Sequence, residues 1–221
     1  MMKEALNVKN LSFEFKKDSE ILTDISFNLA EGEILGILGP SGTGKSSLLR
    51  LIAGLEKPKR GEISHYDQIL CASNTFVPPH KRGIGLVLQE KVLFPHLNSL
   101  ENVKFGVKGN KTEKDAQAKK YLKLLKAEEF SQSYPNSLSG GEQQRVAIAR
   151  ALAPEPKTVL LDEPFSSLDA NLREELRNET KALFKKTNTS CIIVTHEIEE
   201  ARVFCDRIFR LDKGSIKLVS I

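Results

Sequence analysis

The chain has 221 residues, 40% of them hydrophobic and 28% charged, and 33 basic against 29 acidic side chains leave a net charge of +4. That balance excludes a disordered or collagen-like polymer. The densest basic runs, "KPKR" (Lys57–Arg60) and "KDAQAKK" (Lys114–Lys120), read as solvated faces rather than a nucleic-acid groove, so no nucleic-acid partner is expected. No apolar run reaches the roughly 18 residues that cross a bilayer, the first ten residues lack a signal-like stretch, and three cysteines without ligand spacing read as free thiols in the cytosol.

In chain order, "LNVKNLSFEF" and "DISFNL" come first. The second alternates, with Ile25, Phe27 and Leu29 on one face and Ser26 and Asn28 on the other, the period of a half-buried strand. Together with "GEISHYDQIL" further on, they predict a small, largely antiparallel sheet. The runs "EILGILG", "IGLVLQ", "TVLLDEP" and "SCIIVTH" are apolar without alternation and are separated by helical stretches such as "KSSLLRLIAGL" and "NLREELRNETKALFKK". Strands of that kind are buried on both faces, which predicts an α/β core with a parallel sheet. Between about residues 90 and 154 the texture changes to lysine- and glutamate-rich helix, with Tyr121, Leu122, Leu124, Leu125 and Phe130 as an apolar stripe. This segment reads as a helical lobe inserted into a core of about residues 1–89 and 155–221.

"GPSGTGKSS", Gly39 to Ser47, follows a strand, opens a helix and fits G-x-x-x-x-G-K-[ST]. Gly39, Pro40, Ser41, Gly42, Thr43 and Gly44 form a loop whose backbone N–H groups wrap phosphates. Lys45 adds a point charge, Ser46 offers a hydroxyl to Mg²⁺, and Ser47 follows it. Asp162 ends the strand "TVLLD", where its carboxylate reaches a metal shell, and Glu163 beside it is placed to accept a proton from water. The bland alternative for that pair is an acidic helix start before Pro164. His196 follows "SCIIVT" and Gln89 ends "IGLVLQ", both at the strand edge where parallel sheets bind ligands; Gln89 is a catalytic candidate able to bind magnesium or orient water, or else a polar strand terminus, and a lone histidine is more often structural. A second glycine turn, "SLSGGEQQR" (Ser137–Arg145), runs into a helix and offers oriented N–H groups to another anion.

The phosphate loop, Gln89, "LSGGEQQR", "LLDEP", "SSLD" (Ser166–Asp169) and His196, in this order, closely resemble the nucleotide-binding subunits of ATP-binding cassette transporters over nearly the whole chain. The resemblance implies a phosphate-loop NTPase with a RecA-like parallel sheet, a small antiparallel β-subdomain and an inserted helical subdomain. It implies ATP and Mg²⁺ as ligands, with Ser46, Gln89 and Asp162 toward the metal, Glu163 as general base and His196 on the γ-phosphate. It further implies a head-to-tail homodimer, or a pair with another cassette, across two ATP, in which Leu138, Ser139, Gly140, Gly141 and Glu142 face the ATP held by the partner, with Asp169 linking the two sites. Phe15 matches the adenine-stacking position, with a core role for Phe13 as its counterpart. Glu142 and Ser47 depart from the commoner glutamine and threonine.

"EKVLFPHLNSLENVKFGV", "VPPHKRGIG" and "SSLDANLREELR" are similar to importer cassettes for iron(III), sulfate, molybdate, polyamines and sugars, and "QEKVLFPHL" leans toward the iron(III) group. The resemblance implies permease subunits in the membrane, an extracytoplasmic solute-binding protein reached through the complex, and a peripheral place on the cytoplasmic face of the inner membrane. The chain stops after a predicted strand, "GSIKLVSI", so the C-terminal regulatory domain of many such relatives is expected to be absent. Rival readings are a soluble cassette ATPase acting on nucleic acid or ribosomes, a cassette that only closes, and an exporter subunit.

Overall fold

The structure, a computed structural model, describes residues 3–14, 20–90 and 92–219; Phe15 lies outside them. The elements run β1 (Glu4–Glu14), β2 (Glu20–Ala30), β3 (Ile34–Leu38), α1 (Lys45–Ala53), β4 (Arg60–His65), β5 (Gln68–Ala72), β6 (Thr75–Phe76) and β7 (Ile84–Val87). They continue as α2 (Ser99–Lys104), α3 (Lys111–Leu124), α4 (Gly140–Leu152), β8 (Thr158–Asp162), α5 (Ala170–Thr187), β9 (Ser190–Thr195), α6 (Ile198–Phe204), β10 (Arg207–Asp212) and β11 (Ser215–Val219). One sheet has the order β2-β1-β4-β5-β6 and is antiparallel, as the alternating N-terminal segments predict. The other has the order β11-β10-β3-β9-β8-β7, parallel except for β11.

The central strands are apolar throughout because each of their faces meets a different core. From β8, Val159 and Leu161 enter one core with Phe165, Phe184 and Phe204, while Leu160 enters the other with Leu48, Leu49 and Ile52 of α1. Cys191 and Ile193 of β9 go one way, Ile192 and Val194 the other. Each fully buried aliphatic side chain contributes about 1.5–3 kcal/mol, so continuous runs are what a two-sided strand requires. β7 is the edge, and its Ile84, Gly85 and Leu86 are only half-buried, less than the sequence pattern implies. In the apolar stripe of α3, Tyr121, Leu122 and Leu125 are buried but Leu124 is exposed, because two residues beyond Leu122 it is turned about 200° away from it around the helix. The three cysteines are free and buried. Among the described residues no helix is long and apolar enough to cross a membrane.

Two buried arginines set the positions of helices. Arg82, only 1% exposed, donates from Nη1 to the carbonyls of Leu51 (3.0 Å) and Ile52 (2.8 Å) and from Nε to that of Val77 (2.7 Å). It thereby caps the C-terminus of α1, where a cation also meets the negative end of the helix dipole. Arg145 of α4 donates to the Leu125 carbonyl after α3 (2.9 Å) and pairs with Glu179 of α5, joining three helices.

His65 joins the two sheets: its Nε2 lies 3.0 Å from Thr158 Oγ1, bridging β4 and β8. Burial, and next the charge of Lys157, hold its pKa down to about 4 from 6.5. Between those values the unfolded chain binds a proton that the folded chain refuses, so stability is full above pH 6.5 and falls as pH drops toward 4. Through this residue alone the loss should be about 2–3 kcal/mol. Urea midpoints from pH 7 to pH 4 should fall less steeply for His65→Gln than for the wild type, and parallel curves would exclude the assignment.

Candidate functional site

The loop Gly39–Gly44 leaves the carboxyl end of β3 and turns into α1. Gly42 (φ 83°) and Gly44 (φ 95°) take left-handed conformations that other residues resist. Lys45, 4% exposed, folds back and donates from Nζ to the carbonyls of Gly39 (2.8 Å) and Pro40 (3.0 Å), and Thr43 Oγ1 donates to the Pro40 carbonyl (2.9 Å). The loop is thus closed around an ammonium that pairs with Glu163 Oε1 at 3.6 Å.

Opposite the loop, Ser46 Oγ donates to Asp162 Oδ1 at 3.0 Å. Burial, with help from the neighbouring Glu163 charge, pushes the Asp162 carboxyl above its ordinary value, while the Ser46 hydrogen bond and Lys45 pull against it. Glu163 has φ 44°, rare for a side chain of this size, and is fixed on both sides: its N–H donates to the Val194 carbonyl (3.0 Å), and its own carbonyl accepts from Ser166 Oγ (3.0 Å). The bend turns its carboxylate toward β9, where Oε2 accepts from His196 Nδ1 at 3.1 Å. A cleft of about 300 Å³ is lined by Ile21, Ser41, Gly42, Gly44, Lys45, Ser46, Ser47, Gln89 and Glu163. Phosphate-loop residues, Gln89 and Glu163 therefore border one volume, Asp162 reaches it through Ser46, and His196 reaches it through Glu163.

The other glycine turn lies apart from this cleft, whose lining includes none of Leu138, Ser139, Gly140, Gly141 and Glu142. Ser139 is the N-cap of α4, which begins at Gly140, so both glycines of the turn lie in the first turn of the helix. Glu142 N–H donates to Ser139 Oγ (3.4 Å) and Ser139 N–H to Glu142 Oε2 (2.6 Å), a reciprocal capping box. Leu138 is buried, Ser139 and Gly140 are exposed, and Gly141 packs against the Leu172 side chain of α5. Asp169 caps α5, accepting from Leu172 N–H at 3.1 Å.

The model of the ABC transporter family matches residues 22–166. The chain belongs to that family. This ABC cassette is 44% identical over 214 residues to the Fe(3+) ions import ATP-binding protein FbpC 2 of Haemophilus influenzae, covering 96% of the chain and 60% of that relative. It is 43% identical over 212 residues to a probable sulfate/thiosulfate import ATP-binding protein of Chlorella vulgaris, 95% of the chain and 88% of the relative. It spans about 60% of the length of the Haemophilus iron(III) relatives. Among solved structures it matches the dimeric bacterial ABC transporter cassette MJ0796 with a TM-score of 0.84 at 36% identity, covering 96% of each chain. It also matches the post-hydrolysis dimer of that cassette bound to ADP and Pi, with a TM-score of 0.85 at 34% identity over 98% of the chain and 99% of the other.

Sequence reasoning did not single out Ile21, whose place in the cleft comes from the antiparallel sheet folding over the loop, and no local pattern announces it. It also passed over Arg173 and Glu197. Their signal was present, since Arg173 lies four residues past the N-cap Asp169 and so faces back over that turn.

The two loop glycines separate backbone strain from packing. A Cβ on Gly42 meets nothing within 4 Å, whereas on Gly44 it would lie 2.7 Å from Ile21 Cγ2 and 3.0 Å from Leu22 Cδ2. Gly42→Ala should cost about 1 kcal/mol from the left-handed backbone alone, and Gly44→Ala about 2–4 kcal/mol. Guanidinium midpoints of the two variants check the order.

Proposed function

We propose that this chain binds and hydrolyses ATP as the energising subunit of a solute importer, working as a head-to-tail pair of copies. One observation carries the reading: Lys45, Ser46, Gln89, Asp162, Glu163 and His196 gather at a single cleft, while the N-terminus of α4, the positive end of its dipole, stands outside it. A second copy is the economical way to bring that terminus to a bound phosphate.

In this reading Lys45 gives up the Gly39 and Pro40 carbonyls to meet the phosphates, which also withdraws it from Glu163. The freed Glu163 carboxylate accepts the proton of the attacking water, and His196 stabilises charge on the phosphoryl oxygens. Gly39, Pro40, Ser41, Gly42, Thr43, Gly44 and Ser47 supply the cradle around them. Ser46 hydroxyl, Asp162 carboxylate and Gln89 amide are oxygen donors of the kind that suit Mg²⁺, and Ser46 and Asp162 already touch at 3.0 Å. An ion held there would neutralise charge on the transferring phosphoryl group. Leu138, Ser139, Gly140, Gly141 and Glu142 serve the partner's nucleotide, with Asp169 near the seam. Residues of about 90–154 form the lobe that carries them.

An apolar groove of about 360 Å³, lined by Leu86, Leu88, Val92, Phe94, Phe105 and Arg150 among others, supports docking on a membrane permease. Val92 and Phe105 are 50% and 67% exposed there. The same reading places the subunit on the cytoplasmic face of the inner membrane, in a complex served by an extracytoplasmic solute-binding protein. The kinship with iron(III) import proteins supports an inorganic ion such as iron(III) as the solute.

Glu163→Gln should lower ATP turnover by about 10²–10⁴ while leaving binding intact, and the variant should elute as a dimer in MgATP and a monomer without it. Near-normal single-turnover rates would remove Glu163 from the proton-accepting role. Lys45→Ala should weaken MgATP binding at least tenfold in calorimetric titration, and unchanged affinity would count against the cradle.

A further inference from the structure

The backbone that carries His196 is tied to the segment Ser166–Asp169 by one side chain. Arg173, near the start of α5, donates from Nη1 to both carboxylate oxygens of Glu197 (3.0 and 2.9 Å) and from Nη2 to the Leu168 carbonyl (3.0 Å). Glu197 is the residue after His196. Its N–H donates to Thr195 Oγ1 (3.1 Å), and its carbonyl accepts from Ala201 N–H (3.2 Å) as α6 begins. The chain on both sides of His196 is thus pinned.

His196 itself is much freer. Its ring is 44% exposed, and the contact it makes is the bond to Glu163 Oε2. An imidazole with so little of its own support takes its direction from the turn beneath it. A planar guanidinium that spans a carboxylate and a carbonyl can fix the angle between two segments, which a single point charge cannot.

We propose that Arg173 is a positioning residue: by bridging Glu197 and the Leu168 carbonyl it sets the His196 imidazole relative to the Ser166–Asp169 segment, so that the ring is aligned for phosphoryl transfer only while that segment is in place. This rests on the hydrolytic role given to His196 above. Arg173 acts through the turn, its guanidinium being held by Glu197 and the Leu168 carbonyl. Because Leu168 and Asp169 lie on the stretch assigned to the seam between copies, a shift there would reach the ring through one side chain.

The test uses the full chain. Arg173→Met should lower kcat for ATP hydrolysis about tenfold with KM for ATP within about twofold, Arg173→Lys should fall between it and the wild type, and Arg173→Met combined with Glu197→Gln should be no slower than the slower single variant. With ¹⁵N-labelled histidine, the His196 ring signals, identified by their loss in His196→Gln, should move in Arg173→Met while those of the core residue His65 stay. A kcat within twofold of wild type, or unmoved His196 signals alongside a lowered melting temperature, overturns the proposal. Should wild-type protein itself turn over no ATP, the hydrolytic reading fails and takes the catalytic half of the proposal with it, whereas unmoved ring signals sink the positioning role alone.

Discussion

The parallel register of β3, β9 and β8 is the constraint from which the site follows. Leu38 lies opposite Thr195 and Asp162 opposite Val194, so the three strands end within a residue of one another. Gly39, His196 and Glu163 are simply the next residues along. Two hydrogen bonds carry the ladder past the strand ends, Gly39 N–H to the Thr195 carbonyl (3.3 Å) and Glu163 N–H to the Val194 carbonyl (3.0 Å). A slip of one residue in either pairing would turn every side chain of the strand to the opposite core. Because both faces are filled with Leu, Ile, Val and Phe, that slip is strongly opposed, and the chemistry inherits its alignment from packing that has no chemistry in it.

Against this rigid edge the site stores a modest amount of strain. Glu163 at φ 44° costs about 1–2 kcal/mol, offset by hydrogen bonds at its N–H and carbonyl. The bend sends its two carboxylate oxygens to different partners, Oε1 toward Lys45 and Oε2 toward His196. An extended residue here would continue the strand and send the carboxylate to the face of the sheet opposite that of Asp162. The left-handed turn therefore links fold to function as directly as the phosphate loop does, and neighbouring Asp162, with ordinary strand geometry, is left to face Ser46.

Much of this was legible because the relevant residues announce themselves by type and spacing. Gly39–Ser47, Asp162–Glu163, Gln89 and His196 follow apolar strands, and such strands end where ligands bind. The parallel order of β7, β8 and β9 was foreshadowed by runs without alternation. β10 was not, because "RIFRLD" sets Arg207 and Arg210 among its apolar residues and is buried at Ile208 and Leu211 only. α2 and α6 span six and seven residues, too short for a 3.6-residue period to stand out. Arg82 and Arg145 escaped for a different reason. A charged side chain reads as solvated unless its partners are known, and theirs are largely backbone carbonyls brought close only by the finished fold.

The glycine turn Ser137–Arg145 shows a limit of another kind, since its sequence reads as a vacant anion site and its structure is a partly occupied one. Ser139 and Glu142 cap each other, so the N–H groups of Ser139 and Glu142 are already engaged and a carboxylate lies against the turn. Helix N-termini attract anions because their donors are orphaned and their dipole is positive. Here the dipole remains, but Glu142 answers part of it. A phosphate arriving from outside would exchange one anion for another instead of filling an empty place, so its net gain is the difference between two charge-assisted contacts. A small difference of that kind suits the reversible pairing of copies proposed above.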